Sequence, residues 1–218
     1  APIQNIGAYG VEIKDIFVSC SGYFLDTIEK KKFELNDCQF SYRSSIFKKS
    51  LRNKFIITEV VLQLSKTNHK ISKSYKSIND ALNKKKIHNP TIKDIARIVS
   101  KIRENKLPNP SLIGNSGSFF KNPIVSIELL NKLKQKFSKL VYFKESVSKY
   151  KLSAAWLIEN CNFKNIEEKN VGVYKNQALV IINLGNATGK DILLFSKKIK
   201  STVLEKFDIL LEEEVNII

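Results

Sequence analysis

The first half of the chain alternates hydrophobic and polar residues with period two, which is typical of β-strands. Between residues 16 and 64, the segments IFVSCSGYFL, KKFEL and FIITEVVLQL are rich in β-branched and aromatic side chains. We predict strands there, paired antiparallel over a long stretch. The polar residues 66–90 predict a loop with a short turn of helix at SINDAL.

A helix is predicted to begin at Thr91. Thr91 and Asp94 have capping-box spacing, with Asp in place of the usual Glu. The following apolar residues fall on one helical face, namely Ile92, Ile95, Ile98, Val99 and Ile102. Two prolines and two glycines in KLPNPSLIGNSG end the helix, and we place a domain boundary there, near residue 108.

The second half of the chain has the periodicity of helices mixed with short strands. Helices are predicted over 126–138 and 152–161, and a strand pair in VGVYKNQALVIINLG with its turn at Lys175-Asn176. A long helix over 188–206 follows, and the last residues of FDILLEEEVNII are predicted to be a strand. Because strands and helices are segregated along the chain, the fold class is α+β.

The stretch GNSGSFFKNP, residues 114–123, combines glycines, small polar residues and two phenylalanines. We predict a loop that holds Ser118 beside Phe119 and Phe120. A loop is a common place for a reactive hydroxyl, and a plain glycine-rich connection is the alternative that this stretch alone leaves open.

Composition narrows the classes of function. Hydrophobic residues make up 43% of the 218 residues and no apolar run reaches the length of a membrane span, so we expect a packed core and no membrane partner. The net charge is +16, but the lysines are scattered. A lysine-rich surface or an anionic small ligand explains this charge better than nucleic acid does, and we expect no nucleic-acid partner.

Several other chemistries are disfavoured. Cys20, Cys38 and Cys161 are far apart and lack metal-ligand spacing, so we interpret them as free thiols of a reducing cytosol. No GxGxxG motif is present, and GNATGKD (185–191) is one residue short of a phosphate-binding loop. His69 and His88 lie in polar segments without partner spacing, and no metal site is predicted.

Six segments in one order resemble the UDP-N-acetylenolpyruvoylglucosamine reductase family, in its longer type with an extra loop and a substrate-binding tyrosine. The resemblance covers essentially the whole chain. The segments are APIQNIGAYGVEIKD (1–15), CQFSYRSSIFK (38–48), NKLPNPSLIGNSGSFFKNP (105–123), KLSAAWLIE (151–159), NQALVIINLGNATGKDI (176–192) and EKFDILLEEEV (205–215).

The resemblance implies a fold and its domains. Family members bind FAD between two N-terminal subdomains of the vanillyl-alcohol-oxidase (PCMH-like) type, and a third domain covers the substrate. The chain resembles the family from the middle of the second subdomain onward. It contains no methionine, which agrees with our expectation that its N-terminus is missing. We expect a truncated second FAD subdomain at 1–107, a substrate-binding domain at 108–208 and a terminal strand at 209–218 that returns to the active site.

The resemblance also implies a reaction. It is the NADPH-dependent, FAD-mediated reduction of UDP-N-acetylglucosamine enolpyruvate to UDP-N-acetylmuramate in peptidoglycan precursor synthesis, carried out by a cytoplasmic monomer. Ser118 matches the family's proton donor, and Arg43 and Glu214 match residues beside the developing enolate. The alternative is a non-catalytic UDP-sugar-binding fragment that cannot hold FAD.

Further site residues follow from the matched positions. Tyr75, Lys106, Asn122 and Gln177 match positions that hold the UDP-sugar. Arg103 lies one helical turn before Lys106 and can point to the same site. The flavin-contacting segment is matched by Gln4, Asn5, Gly7 and Tyr9. The chain departs from the family pattern at Ser41, Ser44, Glu213 and Asn216.

Overall fold

The computed structural model describes residues 2–69, 71 and 75–218, and the chain divides into two compact units, Ala1–Lys101 and Ile102–Ile218. Part of the predicted 66–90 loop, at residue 70 and at 72–74, lies outside the described residues. No helix in the described ranges is long and apolar enough to cross a membrane.

The first unit contains the three strands predicted from the period-two pattern. They form an antiparallel sheet in the order β4-β3-β5, in which β3 pairs with both neighbours. A short hairpin of β1 and β2 precedes this sheet. The strands are β1 (Gly7–Ala8), β2 (Val11–Glu12), β3 (Phe17–Phe24), β4 (Lys30–Glu34) and β5 (Phe55–Leu62), and 3-10 helices span Pro2–Gln4, Ile13–Asp15 and Ile46–Lys48.

One face of this sheet carries the core of the first unit. Phe33 and Cys20 are buried there, and Phe33 packs edge-on against Phe47 and Phe55. The strand β5 keeps large apolar side chains exposed, since Ile56, Val60, Val61 and Leu62 are all at least 40% accessible. Among the described residues, β5 pairs only with β3 and is therefore an edge strand.

Two helices follow the sheet, α1 (Lys76–Lys84) and α2 (Ile92–Lys106), and the division between the units falls within α2. The helix α1 is longer than the short turn predicted at SINDAL, because Ile78 and Leu82, four residues apart, are both buried on one face. The start of α2 follows the prediction: the Thr91 hydroxyl accepts from the Asp94 N–H, and the Asp94 carboxylate accepts from the Thr91 N–H.

The second unit contains two antiparallel sheets and three helices. One sheet has the order β10-β11-β12-β6 and the other β7-β9-β8. The strands are β6 (Gly114–Ser118), β7 (Ile124–Ser126), β8 (Tyr142–Lys144), β9 (Lys149–Leu152), β10 (Glu167–Glu168), β11 (Val171–Val173) and β12 (Val180–Asn183), and the helices are α3 (Ile127–Lys136), α4 (Ala154–Asn160) and α5 (Gly189–Phe207). All three helices and the β11–β12 pair occur where the sequence predicts them.

The core of the second unit is built around α5. Phe195, Ile199, Val203 and Phe207 follow the helical period and are at most 5% exposed. Thr188 and Asp191 form a full capping box at the N-terminus of α5, and Asp208 ends it in a left-handed conformation. The single tryptophan, Trp156 on α4, packs near Phe137 and Phe207.

Two further predictions differ from the structure. Residues 114–118 form the strand β6 instead of a loop, because hydrogen bonds to β12 outweigh the low strand propensity of glycine. The predicted terminal strand is reduced to one isolated antiparallel bridge, between Phe120 and Glu213. Residues 216–218 are exposed, so little burial favours an extension of this pairing.

Candidate active site

The strand β6 delivers Ser118 to its position. Ser118 is the last residue of β6 and lies opposite Val180 of β12, next to a bulge in the register. Gly117 precedes it with φ +71°, a left-handed conformation that favours glycine, and its N–H donates to the Asn115 side chain. Ser118 is half-buried, and the following Phe119 and Phe120 are 6% and 1% exposed. The hydroxyl therefore stands at the edge of an apolar core.

The C-terminal segment runs alongside the residues that follow Ser118. The Lys121 N–H donates to the Glu212 carbonyl at 2.9 Å, and the Glu214 N–H donates to the Phe119 carbonyl at 2.8 Å. These two bonds place the backbone of Glu214 beside the residue that immediately follows Ser118. The structure thus brings together two of the three predicted catalytic residues from opposite ends of the second unit.

The two glutamates before Glu214 have lysine partners. Glu212 pairs with Lys121, and both carboxylate oxygens of Glu213 accept from Lys200 Nζ, at 2.8 and 3.0 Å. These ion pairs indicate that Glu212 and Glu213 hold the C-terminal segment in place. Sequence reasoning missed Lys121 and Lys200, because nothing in the sequence spacing shows that they meet the glutamates.

A third part of the site is the turn between β11 and β12. Gln177 lies in this turn, is 8% exposed, and its carbonyl accepts from the Val180 N–H. The Asn176 side chain donates to the Asn105 carbonyl at 2.9 Å, which ties the turn to the end of α2. The same helix end carries Lys106 and, one turn earlier, Arg103, both exposed.

Asn122 has a structural contact in addition to its predicted role. Its side-chain oxygen accepts from the Ala154 N–H at 2.9 Å, while the Ser153 hydroxyl accepts from the Trp156 N–H. Together these groups satisfy the free N–H groups at the start of α4. Asn122 therefore anchors the stretch that follows Ser118 to α4.

The remaining predicted residues belong to the first unit. Arg43 lies in a tight turn closed by two hydrogen bonds between Ser41 and Ser44, with φ +50°. Its guanidinium donates to the Gly7 carbonyl at 2.6 Å and lies 5.2 Å from the centroid of the Tyr42 ring. These contacts hold the guanidinium against the β1–β2 hairpin.

The hairpin and the residues just before it carry the predicted flavin-contacting residues. Its turn is formed by Tyr9 and Gly10, both with positive φ, and the Tyr9 ring packs edge-on against Tyr75 at 5.1 Å. Gly7 accepts no side chain, because a Cβ there would lie 2.7 Å from the Val11 carbonyl oxygen. The Gln4 side-chain oxygen accepts from Lys48 Nζ at 2.9 Å.

Asn5 does not fit a direct side-chain contact with a cofactor. It is 0% exposed, and its amide nitrogen donates to the Glu12 carboxylate and the Ser41 carbonyl. Its oxygen accepts from the Lys14 N–H. The side chain of Asn5 is engaged inside the chain and joins the hairpin to the turn that bears Arg43.

Two other features carry none of the predicted residues. At the N-terminus of α5, hydrogen bonds from the Thr188 hydroxyl and N–H lower the pKa of Asp191. A cleft of about 620 Å³ in the first unit is lined by His69, Leu64 and Ile92, among others. Within the described residues, no cluster of three or more His, Cys, Asp or Glu could hold a metal ion.

The fold is that of a known α+β reductase. The crystal structure of UDP-N-acetylenolpyruvylglucosamine reductase from Thermus caldophilus superposes with a TM-score of 0.61, covering 99% of this chain and 58% of that one, at 19% sequence identity. A family model, UDP-N-acetylenolpyruvoylglucosamine reductase, C-terminal domain, matches residues 109–218. The chain belongs to this family.

Curated relatives extend the similarity over the whole chain. Proteins named UDP-N-acetylenolpyruvoylglucosamine reductase are 49% identical in Flavobacterium johnsoniae, 44% in Amoebophilus asiaticus and 37% in Pseudomonas aeruginosa. Each match covers 100% of this chain but only 63–64% of the relative. The chain therefore spans just under two thirds of the length of these relatives.

Proposed function

We propose that the chain is the substrate-side portion of an enzyme that reduces UDP-N-acetylglucosamine enolpyruvate to UDP-N-acetylmuramate, with NADPH as the electron source. Residues 108–208 would form the substrate-binding domain, and 209–218 would return to the active site. The observation that supports the proposal is the backbone hydrogen bond from Glu214 to Phe119, the residue after Ser118, inside the segment 109–218 that matches the family model.

Ser118 is assigned the role of proton donor. Hydride addition to the enolpyruvyl methylene leaves an enolate, and a proton must then be added to the carbon that bears the carboxylate. A serine hydroxyl is a weak acid, but a carbanion is a strong enough base to take its proton. The buried Phe119 and Phe120 exclude water on one side, so that protonation can be directed by the protein.

Glu214 and Arg43 each match a family position beside the developing enolate, and we assign their roles on that ground. A guanidinium is always charged and can bind a carboxylate through two parallel hydrogen bonds, which suits the substrate carboxylate and the developing enolate. The contact of Arg43 with the Gly7 carbonyl supports this role, because it restricts the guanidinium before substrate binds.

The UDP group is assigned to polar residues at positions that match the family's UDP-sugar contacts. Lys106 and Arg103 offer two positive charges on adjacent turns of α2 for the diphosphate. Gln177 and Asn122 offer amide groups near Ser118, and Tyr75 offers a phenol. The net charge of +16 favours the approach of such an anionic ligand.

FAD, when bound, would supply the hydride. Gln4, Gly7 and Tyr9 remain the proposed contacts in the first unit, while Asn5 acts by holding their hairpin in place. The side chain of Gln4 and the carbonyl of Gly7 already have partners in this chain. We therefore expect these contacts to supply only part of a flavin site.

The alternative function is UDP-sugar binding without catalysis. It is favoured by the engagement of the Asn5 side chain inside the chain, which leaves this matched position without a free side-chain group for a flavin. The two functions differ in turnover but share the UDP-binding residues.

Calorimetric titration with UDP-N-acetylglucosamine enolpyruvate tests UDP-sugar binding, which the two functions share. Lys106→Ala should weaken binding by about 10- to 100-fold, as for loss of a hydrogen bond to a charged group. Lys93→Ala, on the first turn of the same helix, removes the same charge and should leave affinity unchanged. Absence of saturable binding by the unmodified chain, or equal effects of both changes, would overturn the UDP assignment.

Turnover distinguishes the enzyme from the binding fragment. The chain is joined to the part of the Flavobacterium johnsoniae relative that lies outside the match, and NADPH oxidation is followed with and without the enolpyruvyl substrate. Substrate-dependent oxidation that is lost in Ser118→Ala supports the enzyme. Tight UDP-sugar binding with no turnover in this fusion would favour the fragment.

A further inference from the structure

The segment that carries Glu214 is less buried than the residues that precede it. Ile209 and Leu211 are 4% and 1% exposed and anchor the chain just after α5. From Glu212 onward no residue is fully buried, and the backbone pairing with residues 119–121 consists of one bridge and two hydrogen bonds. So short a pairing is marginal in water by itself, and the segment needs further restraint in addition to the packing of the partly buried Val215 against the core.

The ion pair between Lys200 and Glu213 supplies that restraint. Lys200 Nζ lies 2.8 and 3.0 Å from the two carboxylate oxygens, and the two side chains are only 23% and 21% exposed. The neighbouring Ile199 and Val203 are 0% exposed, so Lys200 projects from a rigid part of α5. A partly buried pair on a rigid element is screened less than an exposed one.

The geometry of an extended chain links this pair to Glu214. Successive side chains of an extended segment leave opposite sides, so fixing Glu213 against α5 also fixes the rotation of the segment at Glu214. The Lys121–Glu212 pair holds the preceding residue, but Glu212 is 71% exposed and this pair is the more solvated of the two.

We propose that Lys200 and Glu213 form a clamp that positions Glu214 beside Ser118. Both are positioning residues, because they act on the reacting centre only through Glu214. This inference rests on the proposed function for its catalytic consequence, whereas the clamp itself is a property of the 218-residue chain.

The test uses amide hydrogen exchange by NMR on the 218-residue protein. In Lys200→Met and Glu213→Gln, exchange at the Glu214 and Lys121 amides should accelerate about three- to tenfold, the range of a moderately strong ion pair. Exchange in β11 and β12 should not change. The double variant Lys200→Glu/Glu213→Lys, in which the two charges are reversed, should restore slow hydrogen exchange at both amides.

Lys198→Met is the matched control. Lys198 lies on the same helix as Lys200 and forms an ion pair with Glu168 of β10, in which the two side chains are 53% and 41% exposed. Loss of this ion pair should not alter hydrogen exchange at the Glu214 amide. Unchanged exchange at Glu214 and Lys121 in Lys200→Met, or an equal effect of Lys198→Met, would overturn the clamp.

Kinetics of the fusion protein give the second measurement. Lys200→Met should lower kcat about three- to tenfold with little change in KM, and the reversed pair should restore it. Faster exchange with an unchanged kcat would overturn the positioning role. If the unmodified fusion does not turn over substrate, the proposed function fails, and hydrogen exchange still decides whether Lys200 holds the segment.

Discussion

Replacing Gly117 tests whether the backbone before Ser118 is constrained as the structure describes. A Cβ at Gly117 would meet no atom within 4 Å, so Gly117→Ala adds no clash and its cost is conformational alone. A left-handed conformation costs an alanine about 1–2 kcal/mol. Alanine also lowers the entropy of the unfolded chain, which offsets about 0.4–1 kcal/mol of this cost, and the midpoints of the two ranges give a net destabilisation of about 0.8 kcal/mol.

Gly189 provides the matched comparison. It is the first residue of α5, a Cβ there also meets nothing within 4 Å, and its φ is not positive. Gly189→Ala should therefore stabilise the protein by about 0.4–1 kcal/mol through the unfolded chain. The same chemical change should thus have opposite signs at the two positions.

Urea unfolding followed by Trp156 fluorescence measures both effects, because the single tryptophan packs near Phe137 and Phe207 within the second unit. Equal stability of Gly117→Ala and the unmodified protein would refute the left-handed backbone at Gly117. So would a change of the same sign in both variants. Either result would remove the structural basis for the position of Ser118.

Three further predictions concern single side chains. Ser118→Ala in the fusion should leave NADPH-dependent flavin reduction intact and slow flavin reoxidation by substrate about 10²- to 10⁴-fold in stopped-flow absorbance; a wild-type rate would exclude Ser118 as the donor. Asn5→Leu should lower the free energy of unfolding in urea by about 1–3 kcal/mol or more, because its buried partners lose their hydrogen bonds. Asn68 is exposed and also has a positive φ, so Asn68→Leu should lower it less, and equal losses would contradict the buried hydrogen-bond network. Burial raises the pKa of the Cys38 thiol to about 12, so the contribution of this thiol to stability is complete below about pH 9 and is lost as the pH rises towards 12. Cys38→Ala should therefore flatten the dependence of the unfolding free energy on pH in this range, and an unchanged slope would refute the assignment to Cys38.

The sequence predicts best where burial is periodic. In α5, Ile199, Val203 and Phe207 mark the buried face, and the capping residues Thr188 and Asp191 mark its start, so local information suffices. The strands β3 and β5 follow from their β-branched and aromatic residues in the same way.

The sequence does not predict structure that depends on pairing between segments far apart in the chain. Residues 114–118 have poor strand propensity and form β6 only because β12, more than sixty residues later, provides partners. The Lys200–Glu213 pair joins α5 to an irregular segment, and no sequence period relates the two. The resemblance identifies Ser118 and Glu214 as candidates, while their proximity follows from the bridge between Phe120 and Glu213, which the sequence does not reveal.

The exposed edge strand β5 governs how the isolated protein behaves in solution. Strand-to-strand association between copies is favoured by its accessible apolar side chains, Ile56, Val60, Val61 and Leu62. The net charge of +16 opposes this association by electrostatic repulsion between copies. Added salt screens this repulsion and leaves the apolar edge unchanged. Solubility should therefore fall as ionic strength rises, and low-salt buffer should limit association between copies.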